Sequence, residues 1–95
     1  MKYNVHYYVN KNGATHDIRA KVEFECDPDQ YGNGYSMFIQ SSEEPFGGQG
    51  YDIRYDKRFD PERPMMFIVE YFHDRYDGKG KRWKLIGIRV FEGDK

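Results

Sequence analysis

The residues of this 95-residue chain that could do chemistry are three histidines, one cysteine, a glycine run and a basic turn. His6, His16 and His73 would make a metal site only by meeting in space. No pair of them has ligand spacing, and no cysteine pair supports them. His73 and Asp74 are the nearest thing to an oriented acid–base pair, yet in an extended segment adjacent side chains point to opposite faces. Cys26 falls on the same alternating row as Phe24, which predicts a buried, inert thiol rather than a nucleophile. The run Phe46-Gly-Gly-Gln-Gly50 lacks the Lys-Ser/Thr of a phosphate-binding loop, and no helical pattern follows it. It is expected to be a flexible connection. The chain therefore offers no assembled catalytic, metal or cofactor site and is expected not to be an enzyme.

Binding chemistry is better represented. Lys79-Gly-Lys-Arg-Trp-Lys84 sets an indole among four cations, a pattern that serves either stacking on nucleic acid or the protection of an exposed hairpin end. Phe67-Ile-Val-Glu-Tyr-Phe72 has the aromatic content of a base-stacking strand. It lacks the preceding Gly and basic residue of an RNA-recognition motif, and the chain shows no pair of helices to back such a sheet. No family is assigned on either fragment.

The elements that must position these residues follow from composition and period. Seventeen residues are Phe, Trp or Tyr and 33% are charged, so the apolar content sits in large flat side chains that favour strands. Fifteen basic residues against sixteen acidic give a net charge of −1, which argues against binding dominated by phosphate neutralisation. Residues 1 to 47 carry four Lys/Arg and seven Asp/Glu, residues 48 to 95 eleven and nine, so an anion would prefer the second half. The length suits one domain, residues 1–95. A lone cysteine, the absence of a long apolar run at the amino terminus and the lack of eighteen consecutive apolar residues predict a cytoplasmic chain with no membrane partner.

Period-2 alternation picks out six extended segments and no helix. Tyr3, Val5, Tyr7 and Val9 alternate with polar residues, as do Ile18, Ala20, Val22, Phe24 and Cys26. Asn12-Gly13 between them is the preferred pair for a two-residue type I′ turn. That turn sets Tyr3 across from Val22, Val5 from Ala20, Tyr7 from Ile18 and Lys2 from Glu23, an apolar match on one face and a charge match on the other. The remaining strands are expected at 35–41, 51–56, 65–76 and 82–92. In the stretch Tyr51-Asp-Ile-Arg-Tyr-Asp56, Tyr51, Ile53 and Tyr55 are expected to face the core while Asp52, Arg54 and Asp56 pair across to neighbours such as Arg19 or Lys21. The last two strands form a hairpin around Asp77–Gly80 that pairs Phe67 with Val90, Val69 with Ile88 and Tyr71 with Ile86. Its reverse face gathers Met66, Ile68, Phe72, Trp83, Leu85 and Phe91, so both faces need covering.

The resulting expectation is an all-β domain, a small six-stranded antiparallel, meander-like sheet curled into a barrel or two-layer sandwich. It would act without catalysis, through protein–protein contact, as an accessory protein of phage or mobile-element type that inhibits a host factor or as a homodimer. A single-stranded nucleic-acid or nucleotide-binding barrel is the alternative. The expected contact residues are Trp83, Leu85, Phe72 and Tyr76 with Lys79, Lys81, Arg82 and Lys84; no cofactor and no metal is implied.

Overall fold

The computed structural model describes residues 1–41, 46, 48–77 and 83–93. Five strands, β1 (Lys2–Lys11), β2 (Ala14–Cys26), β3 (Tyr35–Ser41), β4 (Gln49–Asp52) and β5 (Trp83–Glu92), form one antiparallel sheet in the order β4-β3-β2-β1-β5. A single helix, α1 (Pro64–Tyr76), lies on one face of it. The fold is mostly β and antiparallel, as expected. Among the described residues it has five strands rather than six, and the sheet does not close: β4 and β5 are edges.

The amino-terminal hairpin has the expected register, with Lys2↔Glu23, Tyr3↔Val22, Val5↔Ala20 and Tyr7↔Ile18. Asn12 and Gly13 hold φ of 54° and 91°, the two positive values a type I′ turn requires. The Gly13 N–H donates to the Asn10 side-chain oxygen at 2.9 Å and closes the turn.

Residues 65–76 are helical, which removes the expected carboxy-terminal hairpin. Pro64 stands at the first turn, where its fixed φ suits a helix and its missing N–H costs nothing. From there the buried positions are Phe67, Ile68, Phe72 and Tyr76, with Met66, Glu70 and Asp74 exposed. That is a helical stripe. The run is so rich in aromatic and branched residues that both periods fit it, and composition decided wrongly for strand. His73 and Arg75 in the last turn suit the negative end of the helix dipole. β5 pairs instead with β1, setting Val90 against Val5 and Ile88 against Tyr7.

The core is the space between sheet and helix. Phe67 meets Phe24 and Phe59 edge-on or near it, with ring centroids 6.4 and 5.3 Å apart, and Phe72 meets Tyr7 at 5.2 Å and Phe46 at 4.5 Å. Such pairs contribute roughly 0.5–1.5 kcal/mol each beyond their burial. The Tyr7 hydroxyl, deep in this layer, hydrogen-bonds the Tyr76 hydroxyl at 3.0 Å and Ser41 Oγ at 3.2 Å. Among the described residues no buried side-chain polar atom lacks a partner.

Cys26 is exposed rather than buried. It keeps the parity of Phe24, but β2 runs on after its pairing with β1 ends at Glu23. Tyr35 of β3 stands across from Cys26, whereas Tyr3, Phe59 and Phe67 enclose Phe24.

The stretch 51–60 is a strand only to Asp52. Beyond it, three Asx turns follow at four-residue intervals: the Arg54, Arg58 and Glu62 N–H groups donate to the carboxylates of Asp52, Asp56 and Asp60 at 3.0, 3.0 and 2.9 Å. An aspartate that bonds the backbone two residues on offers the chain a turn in place of a ladder. Asp52 and Asp56 also pair with the guanidinium groups of Arg54 and Arg58. The expected partners Arg19 and Lys21 are out of reach, because β3 separates β4 from β2. Ile53 is buried and Tyr51 half-buried against Phe46 and Tyr71, but Tyr55 is 69% exposed. The segment is fastened at both ends. Asn33 donates through its N–H to the Arg54 carbonyl at 3.0 Å and through its side chain to the Ile53 carbonyl at 2.9 Å, and Arg58 also bonds Asp74 on the helix.

Candidate functional site: the uncovered face of the sheet

One helix covers one face. Among the described residues, the even-numbered residues of β1 and the odd-numbered residues of β2 between Asp17 and Glu25 therefore stand on a face with no layer over it. Register stacks them in rows across the strands: Gly50, Phe38, Glu23 and Lys2; then Gln40, Lys21, Asn4 and Phe91; then Arg19, His6 and Arg89; then Asp17, Tyr8 and Gly87. Phe38 and Phe91 are 43% and 45% exposed.

The polar part of this face is organised by short contacts. His6 Nε2 lies 2.5 Å from Asp17 Oδ1, and its ring packs against Tyr8 with centroids 5.0 Å apart. Tyr8 lies beside Gly87, where an added Cβ would come within 3.8 Å of its ring, and Phe38 lies over Gly50, where the same atom would come within 2.9 Å. Each edge strand thus carries a glycine shielded by an aromatic ring from its neighbour, the arrangement that offsets the poor strand propensity of glycine. Between the aromatics runs a trough of about 890 Å³ lined by Asn4, His6, Arg19, Lys21, Gln40 and Phe91, among others. A second of about 580 Å³ continues past Phe38, Glu23, Glu25 and Lys2. The charges therefore lie in bands along the face: Glu25, then Glu23 beside Lys2, then Lys21, then Arg19 and Arg89, then Asp17 against His6.

The residues expected to form the contact surface do not gather there. Phe72, Tyr76 and Leu85 lie in the sheet–helix core, with exposures of 0, 2 and 8%. Trp83 is half-buried at the end of β5, with Lys11 Nζ 4.3 Å from its ring centroid. Lys84 is exposed and stands opposite Asn10 on the uncovered face. Lys79, Lys81 and Arg82 lie outside the described residues.

A bulge explains why the sequence set Leu85 and Phe91 on one face. Val9 pairs with Leu85 and Tyr8 with Gly87, so Ile86 is an extra residue and is 57% exposed. An unpaired residue inverts parity along its strand. Leu85 turns inward while Phe91, of the same parity, turns outward. Phe38 was missed for another reason: Met37, Phe38 and Ile39 read as a continuous apolar run, and the hairpin register alone marks the middle one as outward.

Charge shifts fall elsewhere. The Asp56 carboxyl is held below the usual aspartate range by its hydrogen bond to Arg58, and Asp52 likewise by Arg54. Burial raises the Tyr3 hydroxyl, helped by the nearby Glu92 charge, and burial raises Tyr51 against the opposing pull of Arg75. None of these groups makes an acid–base pair facing the trough. His73 pairs with Asp77 one helical turn on, at 2.7 Å, while Asp74 takes Arg58. Among the described residues no group of three or more His, Cys, Asp or Glu side chains converges as a metal set, and no helix is long and apolar enough to cross a membrane.

Compared with protein-family models, with curated proteins and with solved structures, the chain matches none.

Proposed function

We infer that this chain is a non-catalytic binding protein that docks another protein on the uncovered face of its sheet and acts by occupying that partner's surface, the mode of an accessory inhibitor. The observation that carries the reading is the pair Phe38 and Phe91, each a little under half exposed on a face where an antiparallel sheet ordinarily shows water a polar row. Large aromatics set among polar and charged side chains are the usual makeup of an interface hot spot. The banded charge of the face, with Arg19, Lys21 and Arg89 between Asp17 on one side and Glu23 and Glu25 on the other, would help set the register of a partner. The test is affinity capture from source-cell extract, comparing the unmodified chain with Phe38→Ala/Phe91→Ala and with Tyr31→Ala, a control on a loop residue 78% exposed. A partner retained by the control and lost by the double variant supports the docking face; a partner retained by all three removes it.

A second reading, single-stranded nucleic acid, is favoured by the trough itself, since Arg19, Lys21 and His6 line it beside the ring of Phe91. Titration of mixed oligonucleotides against salt separates the two. Binding that weakens steeply with salt and is lost in Arg19→Ala/Lys21→Ala selects this reading, and no binding at low salt discards it.

A further inference from the structure

The two edges of the sheet are not alike. β4 is four residues long and runs straight into the Asx turns, which end its ladder and set the Arg54–Asp52 pair at its end. A very short strand closed by charged side chains is a common way of blunting an edge. β5 is ten residues long, and among the described residues only one of its sides is paired.

Hydrogen bonds fix which of its backbone groups point outward. The Gly93 N–H donates to the Lys2 carbonyl at 2.8 Å, so Gly93 faces β1. Alternation then turns Phe91, Arg89 and Gly87 toward β1 and directs the N–H and C=O of Ile88, Val90 and Glu92 away from the sheet. On the other side of the bulge the outward N–H belongs to Leu85, and the Asp77 carboxylate at the end of α1 accepts it at 3.2 Å. Asp77 and the Ile86 bulge close the first part of the edge. The rest, from Gly87 to Glu92, carries neither bulge nor side-chain cap among the described residues.

We propose that this part of β5 pairs antiparallel with β5 of a second copy of the chain, about a two-fold axis through Val90. In that register the outward residues meet one another: Val90 faces Val90 of the second copy, and Ile88 faces Glu92, so each exchanges both main-chain hydrogen bonds. On the uncovered face, Arg89 of each copy stands directly opposite Phe91 of the other. These are the close, non-hydrogen-bonded positions of an antiparallel ladder, where a guanidinium meets an aromatic ring favourably. An isologous contact must be self-complementary in this way, residue i meeting j while j meets i. Centring the axis on Arg89 would set two guanidinium groups against each other. Centring it on Phe91 would set Glu92 against Val90 and shorten the paired segment. The proposal does not need the docking reading, since the pairing rests on the main chain of the edge; Arg89 and Phe91 of the uncovered face set only its register.

Light scattering across a concentration series gives the first readout, with a dimer that dissociates on dilution as the expected result; a monomer at every concentration up to about 1 mM, the weak end of specific affinity, overturns the proposal. Val90→Pro removes an outward N–H and leaves the β1 ladder intact, so it is expected to raise the dissociation constant at least about tenfold. A dimer unaffected by it is joined elsewhere. Phe91→Glu, an exposed substitution that spares the core, tests the register: opposite Arg89 it keeps or tightens the dimer, whereas loss of the dimer places Glu against Glu and refutes the axis through Val90. Amide exchange supplies a check without any variant. The Ile88, Val90 and Glu92 amides are expected to gain protection with concentration, while Gly87, Arg89 and Phe91 are protected throughout; Ile88, Val90 and Glu92 amides that stay unprotected at high concentration overturn the pairing.

Discussion

Tyr7 and Tyr8 are neighbours in the chain and belong to different worlds. Tyr7 is fully buried, packed edge-on against Phe72 and bonded through its hydroxyl to Tyr76 and Ser41. Tyr8, one residue on, lies half-exposed across Gly87 beside His6. The two faces of the sheet differ in the same way. One is held by interlocking rings whose removal leaves a hole, the other by polar contacts and two aromatics that solvent already reaches. Stability and the proposed recognition are thus separated by a sheet one residue thick, and substitutions on the two faces should be separable too.

The sharpest way to sharpen the contrast is Phe72→Ala. Losing a fully buried ring that touches Tyr7 and Phe46 is expected to cost about 3–5 kcal/mol, read as a drop in the denaturation midpoint. A cost under about 1 kcal/mol would mean that the covered layer is not the source of stability. Next come two glycines that hold positive φ, Gly32 at 69° and Gly13 at 91°. A Cβ at Gly32 would lie 2.3 Å from the Arg54 carbonyl oxygen, whereas at Gly13 it would meet nothing within 4 Å. Gly13→Ala carries backbone strain alone, on the order of 1 kcal/mol, and Gly32→Ala is expected to cost more because the backbone it strikes is the loop that closes the covered face. Equal costs would show that the loop yields freely.

A smaller effect is expected from Asp56, whose carboxyl is depressed by Arg58. A depressed native value means that its stabilising contribution is present above the ordinary aspartate range and lost as pH falls through the lowered native value. Asp56→Asn should therefore flatten the stability profile in that acid window and nowhere else, as measured by denaturation at several pH values. Smallest of all is Phe38→Ala on the uncovered face, expected to change stability by less than about 1 kcal/mol while altering binding. If it unfolds the domain, the ring over Gly50 is a structural element and the faces are not separable.

How much of this was legible in the sequence depends on how local the deciding signal is. The first hairpin was readable to the residue because Asn12-Gly13 fixes the turn and both faces then agree on one register. The helix was not, since Phe67 to Phe72 satisfies two periods and only the placement of Pro64 spoke for the right one. At 51–56 the alternation of charged and apolar residues imitated a strand, while aspartates at every fourth position from Asp52 to Asp60 carried turns. The uncovered face was half visible. Its polar rows on β1 and β2 follow from the hairpin, but Phe91 reaches it only through the Ile86 bulge, and a bulge is set by how two distant strands fit together. Leu85 and Phe72 were placed with Trp83 on one surface for want of that single residue of slippage and that one helix.

The pairing of β1 with β5 has a mechanical consequence. Because the two strands are antiparallel neighbours, Lys2 and Gly93 lie side by side, joined by the hydrogen bond between them. A pulling force applied through these two points would act along that bond and open the ladder one rung at a time, since antiparallel hydrogen bonds run perpendicular to their strands. Held at Lys2 and Gly93, the domain should peel open like a zipper at low load, however well its aromatic layer resists heat.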